Sequence, residues 1–213
     1  MKIEIWSDYV CPFCYIGKRR LEEALEETGL GDKVEIIYKA YELDPNSPKV
    51  SNQSMQEVLA TKYNMSLDEA KNMTNNVVEQ AKTVGLNYNY ENMKPANTFD
   101  AHRLAKLAEK ENLGEEVTES LLHSYFIEGE AIGTEEVLTR IAKTAGLSDE
   151  RAKAMLTSDE FAADVKADIA EAREVGVQGV PFFVINRKYA ISGAQPAETF
   201  ADALRKVVEE EGT

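Results

Sequence analysis

Cysteine, histidine and tryptophan are scarce: the 213 residues contain two Cys, two His and one Trp. So few cysteines exclude a scaffold stapled by disulfides, and a chain of this length does not need one to hold a core. Long apolar runs are missing too. None approaches the ~20 residues needed to cross a bilayer as a helix. Cations are outnumbered, with 24 Lys+Arg against 38 Asp+Glu for a net charge of −14. A field of that sign repels phosphate backbones and anionic lipid, so neither nucleic acid nor a membrane surface is an expected partner. The N-terminus Met1-Lys2-Ile3-Glu4-Ile5-Trp6-Ser7-Asp8 is interrupted by charge at positions 4 and 8 and cannot form the apolar region of a secretory leader. A cytoplasmic location is expected. No fixed-period repeat or low-complexity linker occurs. What is present is an ordinary apolar fraction, 43%, enough for a proper core.

Residues 3–6 alternate and predict a strand, followed by a brief loop at Asp8-Tyr9-Val10. From Cys11 to about Thr28, Tyr15, Leu21 and Leu25 recur at helical spacing, with Gly29 as a stop. Residues 34–41 are β-branched and aromatic and predict a second strand. A strand–helix–strand opening favours a right-handed parallel pair. Helices are predicted over 55–63, 67–84, 98–111, 115–127, 135–145, 149–156 and 158–174. The first two are headed by the capping-box patterns Ser54-x-x-Glu57 and Ser66-x-x-Glu69. Near the end, residues 180–185 and 188–193 predict two strands around a possible two-residue turn at Asn186-Arg187. Pro196 stands at a first helical position, and Phe200, Leu204 and Val207 form the apolar stripe of a last helix. The fold class is therefore α/β: one mixed sheet built β-α-β at the start and β-β-α at the end. Residues 1–50 and 161–213 form the discontinuous sheet domain, and 51–160 an all-helical insertion.

Both cysteines lie in Cys11-Pro12-Phe13-Cys14, after a strand and at the opening of a helix. Positions i and i+3 of a helix are neighbours, close enough for a disulfide to join them. The first sulfur meets the positive helix end, where free amides and the dipole favour thiolate. Cys11 is thus the expected nucleophile, and Cys14, one turn inward, the resolving thiol. Two other readings compete. A CxxC can be half of a zinc site, but structural zinc takes four ligands, and His102 and His123 lie on separate predicted helices, so no metal is expected. Two inert buried thiols would not need a helix start. The second notable feature is Val180-Pro181, a proline directly before an apolar strand, where it lacks a ladder donor.

Four segments together resemble one family. They are Asp8-x-x-Cys11-Pro12-Phe13-Cys14-Tyr15-Ile16-Gly17-Lys18, then Asn97-Thr98-x-x-Ala101-His102-Arg103-Leu104, then Gly176-Val177-x-Gly179-Val180-Pro181-Phe182-Phe183-Val184, then Ile191-Ser192-Gly193-Ala194-Gln195. In this order they resemble the DsbA-family thiol-disulfide oxidoreductases of the FrnE type. The resemblance implies a thioredoxin-like fold with a large all-helical insertion, Pro181 in the cis form facing the dithiol, and Val180 offering its backbone to an extended substrate. It also implies protein or peptide thiols and disulfides as substrates, glutathione as a potential co-substrate, and no organic cofactor. The same broad group includes kappa-class glutathione transferases and 2-hydroxychromene-2-carboxylate isomerases. They share the Asn-Thr…Ala-His-Arg segment but typically have Ser at the first cysteine. A glutathione-dependent transferase or isomerase acting on a small molecule is therefore the alternative function. A further reading is a metal-responsive protein that binds a soft cation with its dithiol.

Around the dithiol, Trp6 and Tyr9 could line a groove for unfolded polypeptide, or Trp6 could pack in the core. Phe13 lies between the cysteines and is counted with Val180 and Pro181 as substrate-binding. His102 is a pocket candidate through the resemblance, or a hydrogen-bonded packing residue of its helix. Asp8 is a proton acceptor or a loop cap.

Overall fold

The computed structural model describes residues 1–212. The chain opens as β1 (Lys2–Ser7), α1 (Pro12–Thr28) and β2 (Glu35–Ala40). Seven helices follow: α2 (Met55–Lys62), α3 (Leu67–Lys82), α4 (Phe99–Lys110), α5 (Gly114–Phe126), α6 (Glu135–Thr144), α7 (Asp149–Leu156) and α8 (Ala162–Val175). The chain then returns as β3 (Phe182–Ile185), β4 (Tyr189–Ser192) and α9 (Ala197–Glu211). The strands form one sheet in the order β2-β1-β3-β4. β1 runs parallel to β2 and antiparallel to β3, and β3 pairs antiparallel with β4, so the sheet is mixed. This is the thioredoxin-like fold, with many helices beyond its core.

The alternation of β1 sends its residues to two different layers. Ile3 and Ile5 join Phe183, Ile185 and Ile191 on one face, against Leu21 and Leu25 of α1 and Phe200 and Leu204 of α9. On the other face Trp6 packs with Val184, Val177 and Ala172 under α8. Glu4 shares that face and is buried in a central strand. The guanidinium of Arg187 meets its carboxylate, and Lys39 Nζ stands 3.9 Å away. A buried carboxylate persists only with such partners. A separate apolar core lies among the helices, built around Leu104, Leu121, Phe126, Leu138 and Met155. Tyr9, Tyr15 and Ile16 insert into it from the sheet side. The start of α1 therefore sits where the two cores meet.

Local chemistry explains several element ends. Both capping boxes form: the Ser54 and Ser66 side chains accept from the Glu57 and Glu69 amides, and each Glu reaches back. Asn186 and Arg187 adopt φ of 49° and 56°, the left-handed pair of a type I′ turn, and Asn186 Oδ1 accepts from the Lys2 amide at 2.6 Å. One helix starts later than its pattern predicts. Rather than running from 158, α8 begins at Ala162, after Phe161 with φ 62°. The reason is Arg103. Its guanidinium donates to the carbonyls of Met155 (2.7 Å), Glu160 (2.8 Å) and Ser158, so the chain wraps around a cation instead of continuing as a helix.

Candidate active site

Cys11 is the N-cap of α1. It has extended backbone dihedrals, and no side chain caps the helix end. Pro12 takes the first helical position, where no amide is needed. The two thiols are free. Cys11 Sγ donates to the Val180 carbonyl at 3.4 Å, and the Val180–Pro181 peptide bond is cis. Residues 169 apart in sequence thus meet at the sulfur. The Pro181 carbonyl accepts from the Gly193 amide at 2.8 Å, which ties this loop to the end of β4. Cys14 lies one turn along α1, and both cysteines are buried, with 4% of Cys11 and 3% of Cys14 exposed. Burial pushes its thiol well above the ordinary 9.0, the neighbouring Cys11 adds to the rise, and the Ser7 side chain and Asp8 backbone partly offset it. A sulfur so placed is a thiol at neutral pH and ionises only when its proton is drawn off during exchange.

Gly17 sets how closely α1 approaches the proline loop. A Cβ there would lie 3.0 Å from Pro181 Cγ and 3.1 Å from Phe183 Cζ, inside normal carbon–carbon contact. Glycine inside a helix costs about 1 kcal/mol relative to alanine, and here it allows the approach.

The remaining residues singled out from the sequence take varied places. Phe13 is the exposed one, with 37% of its surface in solvent beside the dithiol. Trp6 and Tyr9 do not line a groove: they are 0% and 3% exposed. The Trp6 indole donates to the Asp168 carbonyl at 3.0 Å and supports Val180 and Phe182 from behind. Tyr9 lies against the His102 ring at 4.8 Å, with its hydroxyl 3.4 Å from Thr118 Oγ1. Both are core residues because each strand or loop position here faces a closed layer. His102 is likewise buried. Its Nε2 lies 3.2 Å from Asp8 Oδ1 and 3.0 Å from the Tyr41 carbonyl. The carbonyl can only accept, so Nε2 carries the proton and donates. Asp8 Oδ2 accepts from the Leu43 amide at 2.8 Å, and its carbonyl from the Cys11 amide at 3.1 Å. Asp8 and His102 therefore hold the loop that delivers Cys11. Asn97 does the same for the chain after β2, donating to the Pro45 and Pro48 carbonyls at 3.1 and 3.0 Å.

The insertion brings Tyr88 onto the dithiol motif, with Tyr90 beside it, from a loop between helices. Tyr88 Oη donates to the Pro12 carbonyl at 2.6 Å, and its ring stacks on Phe126 at 4.6 Å. Tyr90 packs edge-on against Tyr88 at 6.3 Å. Their mark in the sequence is the alternation Asn87-Tyr88-Asn89-Tyr90, aromatic residues in a loop between helices.

A cluster of charges joins α1 to α5. Glu119 accepts from Tyr15 Oη at 2.5 Å, from Lys18 Nζ at 2.8 Å and from Arg19 Nη1 at 3.0 Å. Burial alone would raise this carboxyl, but the bonds from Arg19, Lys18 and Tyr15 hold it down at about 2, below the ordinary 4.5. A depressed folded value means stability that is complete above about 4.5 and lost as pH falls toward 2. With the side chain 32% exposed, solvent screening leaves about 1–2 kcal/mol of this. Thermal unfolding of the protein is expected to drop more steeply across that window than unfolding of Glu119→Gln. Parallel curves would show that the cluster contributes nothing.

A helix-capping cysteine, a second one turn inside and a cis-proline carbonyl against the first define a dithiol protein of the thioredoxin class. The chain matches the DSBA-like thioredoxin domain over residues 2–205 and belongs to that family. It is similar to the probable DsbA oxidoreductase SCO1869 of Streptomyces coelicolor, with 39% identity, a TM-score of 0.93 and coverage of 99% of this chain and 91% of that one. YwbO of Bacillus subtilis, an uncharacterized protein, is 28% identical over 95% of this chain and 94% of its own. The fold is shared with a 2-hydroxychromene-2-carboxylate isomerase, at 17% identity and a TM-score of 0.71 over 100% of this chain and 98% of that one. It is shared too with the cytosolic disulfide reductase DsbM of Pseudomonas aeruginosa, in a structure with GSH. There the identity is 16% and the TM-score 0.62, over 98% of this chain and 100% of that one.

Proposed function

We propose that the protein exchanges disulfides with polypeptide or small-thiol substrates through Cys11 and Cys14. The observation that carries this reading is the contact between Cys11 Sγ and the Val180 carbonyl across the cis-proline. It sets the sulfur beside a backbone edge that an extended substrate could pair with. In the reducing direction the Cys11 thiolate attacks one sulfur of a substrate disulfide. A Cys11–substrate disulfide forms, and the other substrate sulfur leaves as a thiolate and takes up a proton. Cys14 gives up its proton and attacks Cys11 Sγ. The Cys11–Cys14 disulfide forms, the second substrate thiolate departs, and two electrons have passed to the substrate. Glutathione, as a co-substrate thiol, would return the pair to the dithiol by the reverse steps. No organic cofactor is required. A reducing cytoplasm is the proposed setting, and it favours reductase or isomerase duty over net oxidation.

The test is reduction of insulin disulfides by a thiol reductant. The protein is expected to accelerate it, and Cys11→Ser to lose that acceleration completely. An unaffected rate in Cys11→Ser, or a small-molecule isomerase activity that survives it, would overturn the reading in favour of transferase or isomerase chemistry.

A further inference from the structure

Tyr88 reaches the dithiol motif from the insertion and ends on one atom of it: its hydroxyl donates to the Pro12 carbonyl at 2.6 Å. The residue that carries this bond has little freedom. It is 7% exposed, its ring stacks on Phe126 at 4.6 Å, and the next amide, that of Asn89, donates to the Phe126 carbonyl at 2.7 Å. Burial raises the Tyr88 hydroxyl well above its ordinary 10.0, so it keeps its proton and stays a donor throughout the neutral range.

The carbonyl it meets belongs to a peptide unit with a second end. A peptide is planar, so fixing the Pro12 carbonyl also fixes the direction of the Phe13 N–H. Cys11 is the N-cap of α1, with Pro12 at the first helical position and Phe13 at the second. An N-cap side chain takes its hydrogen bond from the amide at the second or third position. The third amide, that of Cys14, is already committed to the Cys11 carbonyl at 3.0 Å. The Phe13 amide meets no acceptor among the described residues, and no side chain caps the helix. As a thiol, Cys11 Sγ instead donates to the Val180 carbonyl at 3.4 Å. Once its proton passes to water, the sulfur has nothing to give and requires a donor. The Phe13 N–H is the free one at the right helical position.

We propose that Tyr88 is a positioning residue for the Cys11 thiolate: by holding the Pro12 carbonyl it aims and polarises the Phe13 N–H from which the ionised sulfur accepts. A hydrogen bond to the carbonyl draws charge through the peptide and strengthens its N–H as a donor. The hydroxyl acts through one peptide plane and not on the sulfur directly. The inference rests on the disulfide-exchange reading above, and it gives the helical insertion a part in setting the acidity of the nucleophile.

The test is the pH profile of Cys11 alkylation by iodoacetamide in the reduced full-length protein, in Tyr88→Phe and in a Tyr125→Phe control. Tyr125 is buried in the same insertion, and its hydroxyl donates to the Lys94 carbonyl at 3.0 Å, so the control loses a like bond that ends outside the motif. A hydrogen bond to a charged group is worth roughly tenfold or more in an equilibrium. Tyr88 governs part of one, so Tyr88→Phe is expected to make Cys11 about fourfold weaker as an acid, moving the profile up by about 0.6 pH units. Tyr125→Phe is expected to leave the profile in place. An unmoved profile in Tyr88→Phe, or an equal shift in Tyr125→Phe, overturns the role of Tyr88 while leaving disulfide exchange intact. A parent protein whose Cys11 and Cys14 form no reversible disulfide with glutathione would instead overturn the reading of the site.

Discussion

Cys14→Ser is expected to stop turnover while leaving attack intact, so that a substrate stays covalently attached to Cys11. Without the second sulfur, release depends on an external thiol. An internal thiol held one helical turn away acts at an effective concentration far above any millimolar reductant, so resolution should slow by at least ~10³-fold. The asymmetry of the pair gives a second expectation from the same measurement. Burial, with Cys11 adding to it, holds Cys14 well above 9.0, so in the reduced protein it presents a protonated and covered sulfur. A thiol-alkylating reagent at neutral pH should therefore label Cys11 first and spare Cys14. Non-reducing electrophoresis and intact mass of Cys14→Ser incubated with a disulfide-containing peptide would show the trapped adduct. Recovery of free Cys14→Ser at the parent rate, or equal labelling of both thiols, would remove Cys14 from the resolving role.

Gly17→Val should damage both the fold and the site. A Cβ already meets Pro181 Cγ at 3.0 Å and Phe183 Cζ at 3.1 Å, and Ala194 Cβ closes the third side at 3.5 Å. Two further methyl groups have no space, so α1 and the cis-proline loop must separate by about 1 Å. Overpacking of this kind costs about 1–3 kcal/mol in stability. A displacement of about 1 Å at reacting groups costs on the order of 10²-fold in rate. Gly17→Ala adds one carbon and should lose far less of both. Mixed-disulfide formation by Gly17→Val in the Cys14→Ser background, with thermal unfolding measured alongside, separates the two effects. A variant that is destabilised but reacts at the parent rate would show that the Pro181 loop does not position substrate.

These expectations draw unequally on sequence and structure. The dithiol was legible because a strand, two cysteines three apart and a helix start are all local signals. The capping boxes at Ser54 and Ser66 were legible for the same reason. Trp6 and Tyr9 misled because proximity in sequence to Cys11 says nothing about which layer a side chain enters. β1 alternates, and Trp6 falls on the face closed by α8. Arg103 gave no sign that it would gather three carbonyls and delay α8, since its partners lie more than fifty residues away. Tyr88 and Tyr90 left only the short alternation Asn87-Tyr88-Asn89-Tyr90, which does not tell what a loop packs against.

By itself the sequence determined the cysteine spacing and the element order. The sulfur spacing, the helix start, the hydrophobic periods and the −14 charge are properties of the chain that survive without knowing its neighbours. Tertiary structure alone decided what meets the dithiol motif: the Val180 carbonyl at Cys11, Gly17 against Pro181, and Tyr88 brought over from the insertion to the Pro12 carbonyl. Local propensity acts over one or two turns of chain, whereas the environment of a thiol is set by whichever distant segments pack against it.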